Sequence, residues 1–100
     1  MRIEVLDEAE RDLVGGAAIY EVHDAGLGQY FLDSLFSDID SLQLYAGIHS
    51  VYLGYHRLLS RRFPYAIYYR VDGPVARVWA VLDCRMDPAR IARRLTRSED

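Results

Sequence analysis

Arginines recur through the second half of the sequence at spacings that an extended chain brings onto one surface. Arg57, Arg61, Arg70, Arg77 and Arg85 lie between Tyr55 and Arg85, a stretch otherwise rich in β-branched and aromatic residues. Side chains of a strand alternate between two faces. That rule sets Arg57, Leu59 and Arg61 on one face of a first strand. It sets Ala66, Tyr68 and Arg70 on the matching face of a second, and Arg77, Trp79, Val81, Asp83 and then Arg85 on that of a third. Guanidinium groups interleaved with Tyr68 and Trp79 suit phosphates, bases or an acidic peptide, because the planar fork matches oxyanions and stacks on rings. The same pattern also describes a solvated outer face on which Arg stems cover apolar atoms. If the face carries chemistry, Arg supplies charge stabilisation and a second group must move protons. The candidates are Tyr68, Asp83 and His49.

Other constellations carry less. Glu21 and Asp24 have helical i, i+3 spacing but His23 does not join them, so a solvated helix end is favoured over a metal site. His56 falls on the face opposite Arg57 and reads as a structural histidine; His49 falls in a loop and has no assigned role. Cys84 has no His partner in the pattern and reads as a small buried hydrophobe rather than a nucleophile. Gly26 and Gly28 lack the surroundings of a phosphate-binding loop. No cofactor and no metal are implied.

These residues need a sheet to hold them. Turn signals at Arg61–Pro64 and at Asp72-Gly73-Pro74 divide the stretch into strands at about Tyr52–Ser60, Pro64–Asp72 and Val75–Cys84. On the last of them the apolar set Ala76, Val78, Ala80 and Leu82 is expected to face helices. Met1–Leu6 alternates as a short strand, expected beside the last one so that its backbone groups are paired. Asp7, with Glu10 three residues on, reads as a helix cap. Ala9, Leu13, Gly16, Ala17 and Tyr20 then recur at helical spacing over about Glu8–His23. Gly15-Gly16 inside that helix would allow close approach of a neighbouring element. A second helix over about Leu27–Tyr45 presents Phe31, Leu35, Ile39 and Leu42. Asp87-Pro88 opens a short basic tail helix with Ile91 and Leu95 as its apolar contacts, and Thr96–Asp100 is expected to fray. Phe31, Leu35, Ile67, Val78 and Leu82 are expected in the core. The fold class is α+β, a helical hairpin against one face of a small antiparallel sheet.

One hundred residues make one domain. No apolar run reaches the length of a membrane-spanning helix, and the N-terminus enters a strand pattern directly, so no signal peptide is expected. A single cysteine excludes an intramolecular disulfide framework and fits a reducing cytoplasm. The net charge of −3 conceals an asymmetry. The first fifty residues hold ten acids against Arg2 and Arg11, and the last fifty hold ten Arg against five acids. A nucleic-acid or acidic-peptide partner would therefore bind the sheet and tail.

RRFPYAIYYRV, then Asp72-Gly73, then VWAVLDCRMDP resembles the RelE/ParE superfamily of toxins from type II toxin–antitoxin systems, known also as plasmid stabilisation proteins. The opening RIEVLDEAERDL is similar to the start of that family, and the resemblance covers nearly the whole chain. It implies a cytoplasmic growth inhibitor, silenced by a cognate antitoxin whose C-terminal part wraps it. DNA would be contacted only through the antitoxin complex. RelE-like members cleave mRNA on the ribosome, and ParE-like members poison DNA gyrase. Arg57 matches a basic position on the first strand and Arg85 the late Arg of the RelE pattern. Leu59 and Ala66 replace two other basic residues, Asp83 replaces a common His, and Ile91 stands near where a Tyr would fall. These departures, with the acidic net charge, favour the gyrase branch. A ribosome-dependent nuclease using Arg57, Arg85 and Asp83, or a non-toxic relic that only binds antitoxin, stays open.

Overall fold

The computed structural model describes residues 1–97. The part of the expected frayed tail beyond Arg97 lies outside the described residues. In chain order the elements are β1 (Arg2–Val5), α1 (Asp7–His23), α2 (Leu27–Asp40), α3 (Leu42–Tyr45), β2 (Val51–Tyr52), β3 (Tyr55–Leu59), β4 (Tyr65–Asp72), β5 (Val75–Asp83) and α4 (Pro88–Arg97). The sheet runs β1-β5-β4-β3-β2, antiparallel throughout except that β1, beside the last strand as its need for backbone partners implied, lies parallel to β5.

The helical hairpin α1–α2 covers one face of the sheet. Ala9, Leu13 and Ala17 of α1 and Phe31, Leu35 and Ile39 of α2 bury against Ile67, Tyr69, Ala76 and Val78. Gly16 is where close approach matters: a Cβ there would sit 2.7 Å from the Phe31 ring, whereas Gly15 has open space. Gly28 has the same constraint from the other helix, because its Cβ would meet the Ala17 carbonyl oxygen at 2.6 Å. Glu21 ties the link between the helices, accepting from the Gly26 and Gly28 amides. Those two bonds hold its carboxyl below the usual carboxylate range. Glu21 therefore serves a turn.

Four features depart from the sequence reading. Asp7 begins α1 as a helical residue and makes no cap; Leu6 takes that position, accepting from Glu10 N–H. The second helix breaks at Ser41, whose hydroxyl donates to the Asp38 carbonyl at 2.6 Å, so α3 is separate. The first strand of the meander is a hairpin, β2–β3, turned at Leu53-Gly54 with φ of 52° and 86°. Both residues take the left-handed conformation that a tight two-residue turn needs, and leucine there hides the signal that Asn-Gly would give. Finally, β5 carries a bulge. Its register steps from Tyr68–Ala80 to Tyr69–Val78 and leaves Trp79 unpaired. One extra residue reverses the facing of everything beyond it. Ala80 and Leu82, expected under the helices, lie on the opposite face with Ile91 and Leu95, and Val81 takes their place in the helix-side core. Of the expected core residues, Phe31, Leu35, Ile67 and Val78 are under the helices and Leu82 is in this second cluster.

Candidate binding surface

Helix α4 lies across the face of the sheet away from the helical hairpin. Asp87 caps it, accepting from Ala89 N–H at 2.9 Å, with Pro88 as the first helical residue. Ile91 and Leu95 seat on Tyr55, Ala66, Tyr68, Ala80 and Leu82. The Leu95 carbonyl accepts from the Tyr55 hydroxyl. Arg94 reaches past the sheet to Asp12 of α1 in a two-pronged pair, 2.7 and 2.8 Å, and Asp12 also accepts from the Val81 amide at 3.0 Å. One carboxylate thus joins α1, β5 and α4.

Around that covered centre the structure gathers three of the expected arginines. Arg57 donates to the Tyr68 hydroxyl at 3.3 Å and reaches Cys84 Sγ at 3.7 Å. Arg70 stacks over the Tyr55 ring, 4.0 Å to its centre, with Trp79 at 5.7 Å. Arg77 pairs with Glu4 and Asp72. Tyr68 is buried, and burial pushes its phenol up, opposed by the Arg57 guanidinium. Trp79 is half-buried at the bulge.

Two expected members do not join them. Arg61 is in the turn after β3, its amide donating to Asp38 of α2. Arg85 lies past the bulge, where the alternation has reversed. It pairs with Asp83 at 2.8 Å and meets the Tyr20 hydroxyl of α1. Asp83 is opposite Tyr65, which belongs to the helix-side core. The pair with Arg85 holds the Asp83 carboxyl low, while burial, with the Asp83 charge, pushes the Tyr65 phenol up to about 12. Arg57 and Arg85 therefore occupy different surfaces.

The histidines are also on the hairpin side. His56 stacks on the Tyr69 ring, and its Nδ1 lies 2.7 Å from the His49 carbonyl oxygen, the satisfied structural role expected of it. His49 Nδ1 meets the Tyr69 hydroxyl, which also accepts from the Gly47 amide. Cys84 is half-buried.

A second feature of this side had no signal in the period-2 pattern. Between α1 and α4 runs an open groove of about 1090 Å³, with Gly15, Ile19 and Met86 among apolar lining and Arg11, Arg90 and Arg93 along its walls. Among the described residues no helix is long and apolar enough to cross a membrane.

No protein-family model matches the sequence, and no curated protein matches it. A solved structure does. A chain of the chromosomal ParDE TA system from P. aeruginosa superposes with a TM-score of 0.71 at 22% identity, over 81% of this chain and 92% of that one. The α+β arrangement expected from the resemblance, with its N-terminal helical hairpin, sheet and short C-terminal helix, is the fold that the two chains share.

Proposed function

We propose that this chain is the toxin of a type II toxin–antitoxin pair, silenced in the cytoplasm by a cognate antitoxin, and that it acts by ParE-like inhibition of DNA gyrase. The shared fold with a chain of a ParDE system supports the first part. The observation that carries the second is that, among the described residues, the groups Arg57 touches are the buried Tyr68 hydroxyl and the half-buried Cys84 thiol, while the carboxylate and imidazole candidates lie elsewhere. Tyr68 is buried and its phenol is pushed up. Asp83 is tied to Arg85 on another surface, and His49 is committed to Tyr69 on the hairpin side. Cleavage of RNA by general acid–base catalysis needs such a group within hydrogen-bond reach of the substrate. A surface of Arg57, Arg70, Arg77 and aromatic rings suits protein contact, since Arg and aromatic residues dominate interface energetics.

The antitoxin would dock on the sheet and tail side. An acidic, amphipathic segment that orders on binding fits the α1–α4 groove, laying apolar residues on Ile19 and Met86 and carboxylates against Arg90 and Arg93. Hydrogen exchange of the complex is expected to show new protection within Tyr55–Leu95. Protection confined to Glu8–Tyr45 would sink this docking surface. DNA would be reached only through the complex.

Induced expression without antitoxin tests the function. Growth arrest with induction of the DNA-damage response is expected, and Arg57→Ala is expected to weaken it more than Arg85→Ala. Codon-specific cuts in ribosome-bound mRNA, with no DNA-damage response, would replace this reading with the nuclease. Normal growth at high expression would leave a relic that binds antitoxin.

A further inference from the structure

From Ser41 to Tyr55 the sequence contains no Asp, Glu, Lys or Arg, in a chain of which 27% is charged. Burial accounts for Leu42 and Tyr55 but not for the rest of this run. Leu44 is 82% exposed, Ile48 73% and Val51 63%, and Tyr45, Tyr52 and Leu53 are also exposed. The run contains α3, passes Tyr69 and His56, forms β2 at the edge of the sheet and ends at Tyr55, the first residue of β3. Val51 is opposite His56 and Tyr52 opposite Tyr55, so the two residues of β2 put an apolar side chain on each face of that edge. Leu53, at positive φ, adds a third at the tip.

The two edges of the sheet are treated differently. Edge strands expose unpaired backbone groups and are commonly protected by charge or proline. β1 carries Arg2 and Glu4, whereas β2 carries neither charge nor proline. The exposed apolar residues of α1 differ too: Val14 and Val22 sit among Glu10, Arg11, Glu21 and Asp24. Depletion of charge at an exposed apolar surface is the compositional mark of an interface core.

We propose that the β2 edge, with Ile48, Val51, Tyr52 and Leu53, is the contact between two copies of this chain, paired antiparallel across a two-fold axis. Charge selects the occupant. A two-fold contact sets a patch against itself, so a charged patch would meet like charge. The acidic hairpin and the basic tail would both repel themselves, and this run would not. Four side chains make a small patch, so the contact belongs with the weak interfaces that bury less than about 1,200 Å² in total. The dimer is therefore concentration-dependent. β2 is only two residues long, so side chains rather than ladder hydrogen bonds carry it.

Sedimentation equilibrium of the full chain, free of antitoxin, tests this. The weight-average mass is expected to rise with concentration from 11.5 kDa toward twice that value. It is expected to stay at the monomer value in Ile48→Glu/Val51→Asp with an unchanged melting temperature, and to rise normally in Val22→Asp. A second measurement does not depend on disrupting the surface. Val51→Cys in a Cys84→Ser background is expected to form a disulfide-linked dimer on mild oxidation, and Val22→Cys in that background is not. A wild-type chain that stays monomeric at every concentration overturns the proposal. So does a dimer indifferent to Ile48→Glu/Val51→Asp. A monomeric wild type whose growth inhibition is lost in Ile48→Glu/Val51→Asp would assign the strip to a different protein and overturn it as well.

Discussion

Under the helical hairpin, the sheet meets two long helices through a continuous layer of Leu13, Phe31, Leu35, Ile39, Tyr69 and Val78. Under α4 the same sheet meets ten helical residues through Ile91 and Leu95, ringed by Arg57, Arg70 and Arg77. The first face loses apolar surface to water over its whole area, and that burial is the dominant source of folding free energy. The second is held at scattered points, among them two apolar anchors, a hydrogen bond from Tyr55, the Arg94–Asp12 pair and the more exposed pairs of Arg94 and Arg97 with Glu8. The first face carries most of the stability, and the second is the weaker attachment. Elements with few buried contacts open at lower free energy than the core, and binding surfaces are drawn from them.

The comparison breaks most visibly at matched leucines. Leu35 and Leu95 are both fully buried. Leu35→Ala is expected to cost roughly 2–5 kcal/mol of global stability, as a cavity in a layer that cannot collapse does. Leu95→Ala is expected to release α4 and leave the rest folded. Denaturant unfolding gives the first quantity, and amide exchange across Ala89–Arg97 the second. Equal losses of global stability would show that α4 belongs to the same cooperative unit and remove the distinction.

Asp12 is where the two faces communicate, since it binds Arg94 of α4 and the Val81 amide of β5. Removing a charged hydrogen-bond partner costs about 1.5–3 kcal/mol, so Asp12→Ala should rank below Leu35→Ala in global stability. It should also speed exchange in α4. Arg94→Ala is expected to reproduce the loosening of α4 with a smaller global cost, because Asp12 then keeps its bond to β5. If Arg94→Ala costs as much as Asp12→Ala, the tie to β5 carries nothing.

The same contrast explains how far the sequence could be read. The hairpin face was legible because it rests on local periodicity: Phe31, Leu35 and Ile39 repeat at helical spacing and do bury together. The position of β1 followed from its need for a pairing partner. The arginine face was legible only up to Trp79. Period-2 reasoning assumes an unbroken ladder, and a bulge is a property of two paired strands with no mark in either alone. The one-residue slip moved Ala80 and Leu82 onto the face under α4 and separated Arg85 from Arg57. Leu53 concealed a hairpin because a leucine at positive φ is uncommon. The role of Glu21 as acceptor for Gly26 and Gly28 depends on a turn whose shape spacing does not specify.

The smallest expected effect separates the faces by pH. The arginine face has no histidine among the residues that form it, whereas His49 and His56 both flank Tyr69 on the hairpin side. Burial, with the neighbouring His56, holds the His49 imidazole below its ordinary value, and burial pushes the Tyr69 phenol up. In the unfolded chain His49 takes up a proton near the ordinary imidazole value of about 6.5; in the folded chain it does so only at lower pH. The unfolded state thus binds more protons in that interval, and stability falls as pH falls through it. The contribution is complete above the ordinary value and levels off below the folded one. Glu21 and Asp83, whose carboxyls are held low, lose their contributions only at more acidic pH, so measurements kept above about pH 5 exclude them. The melting temperature is expected to decline from pH 7.5 to pH 5.5 in the wild type and to decline less in His49→Gln, with slopes compared rather than absolute values because the substitution also alters the contact with Tyr69. Exchange in α4 should not follow the same titration, since no imidazole touches that face. An undiminished slope in His49→Gln would place the titrating group elsewhere, and an α4 that loosens in step with the melting temperature would join the two faces into one unit.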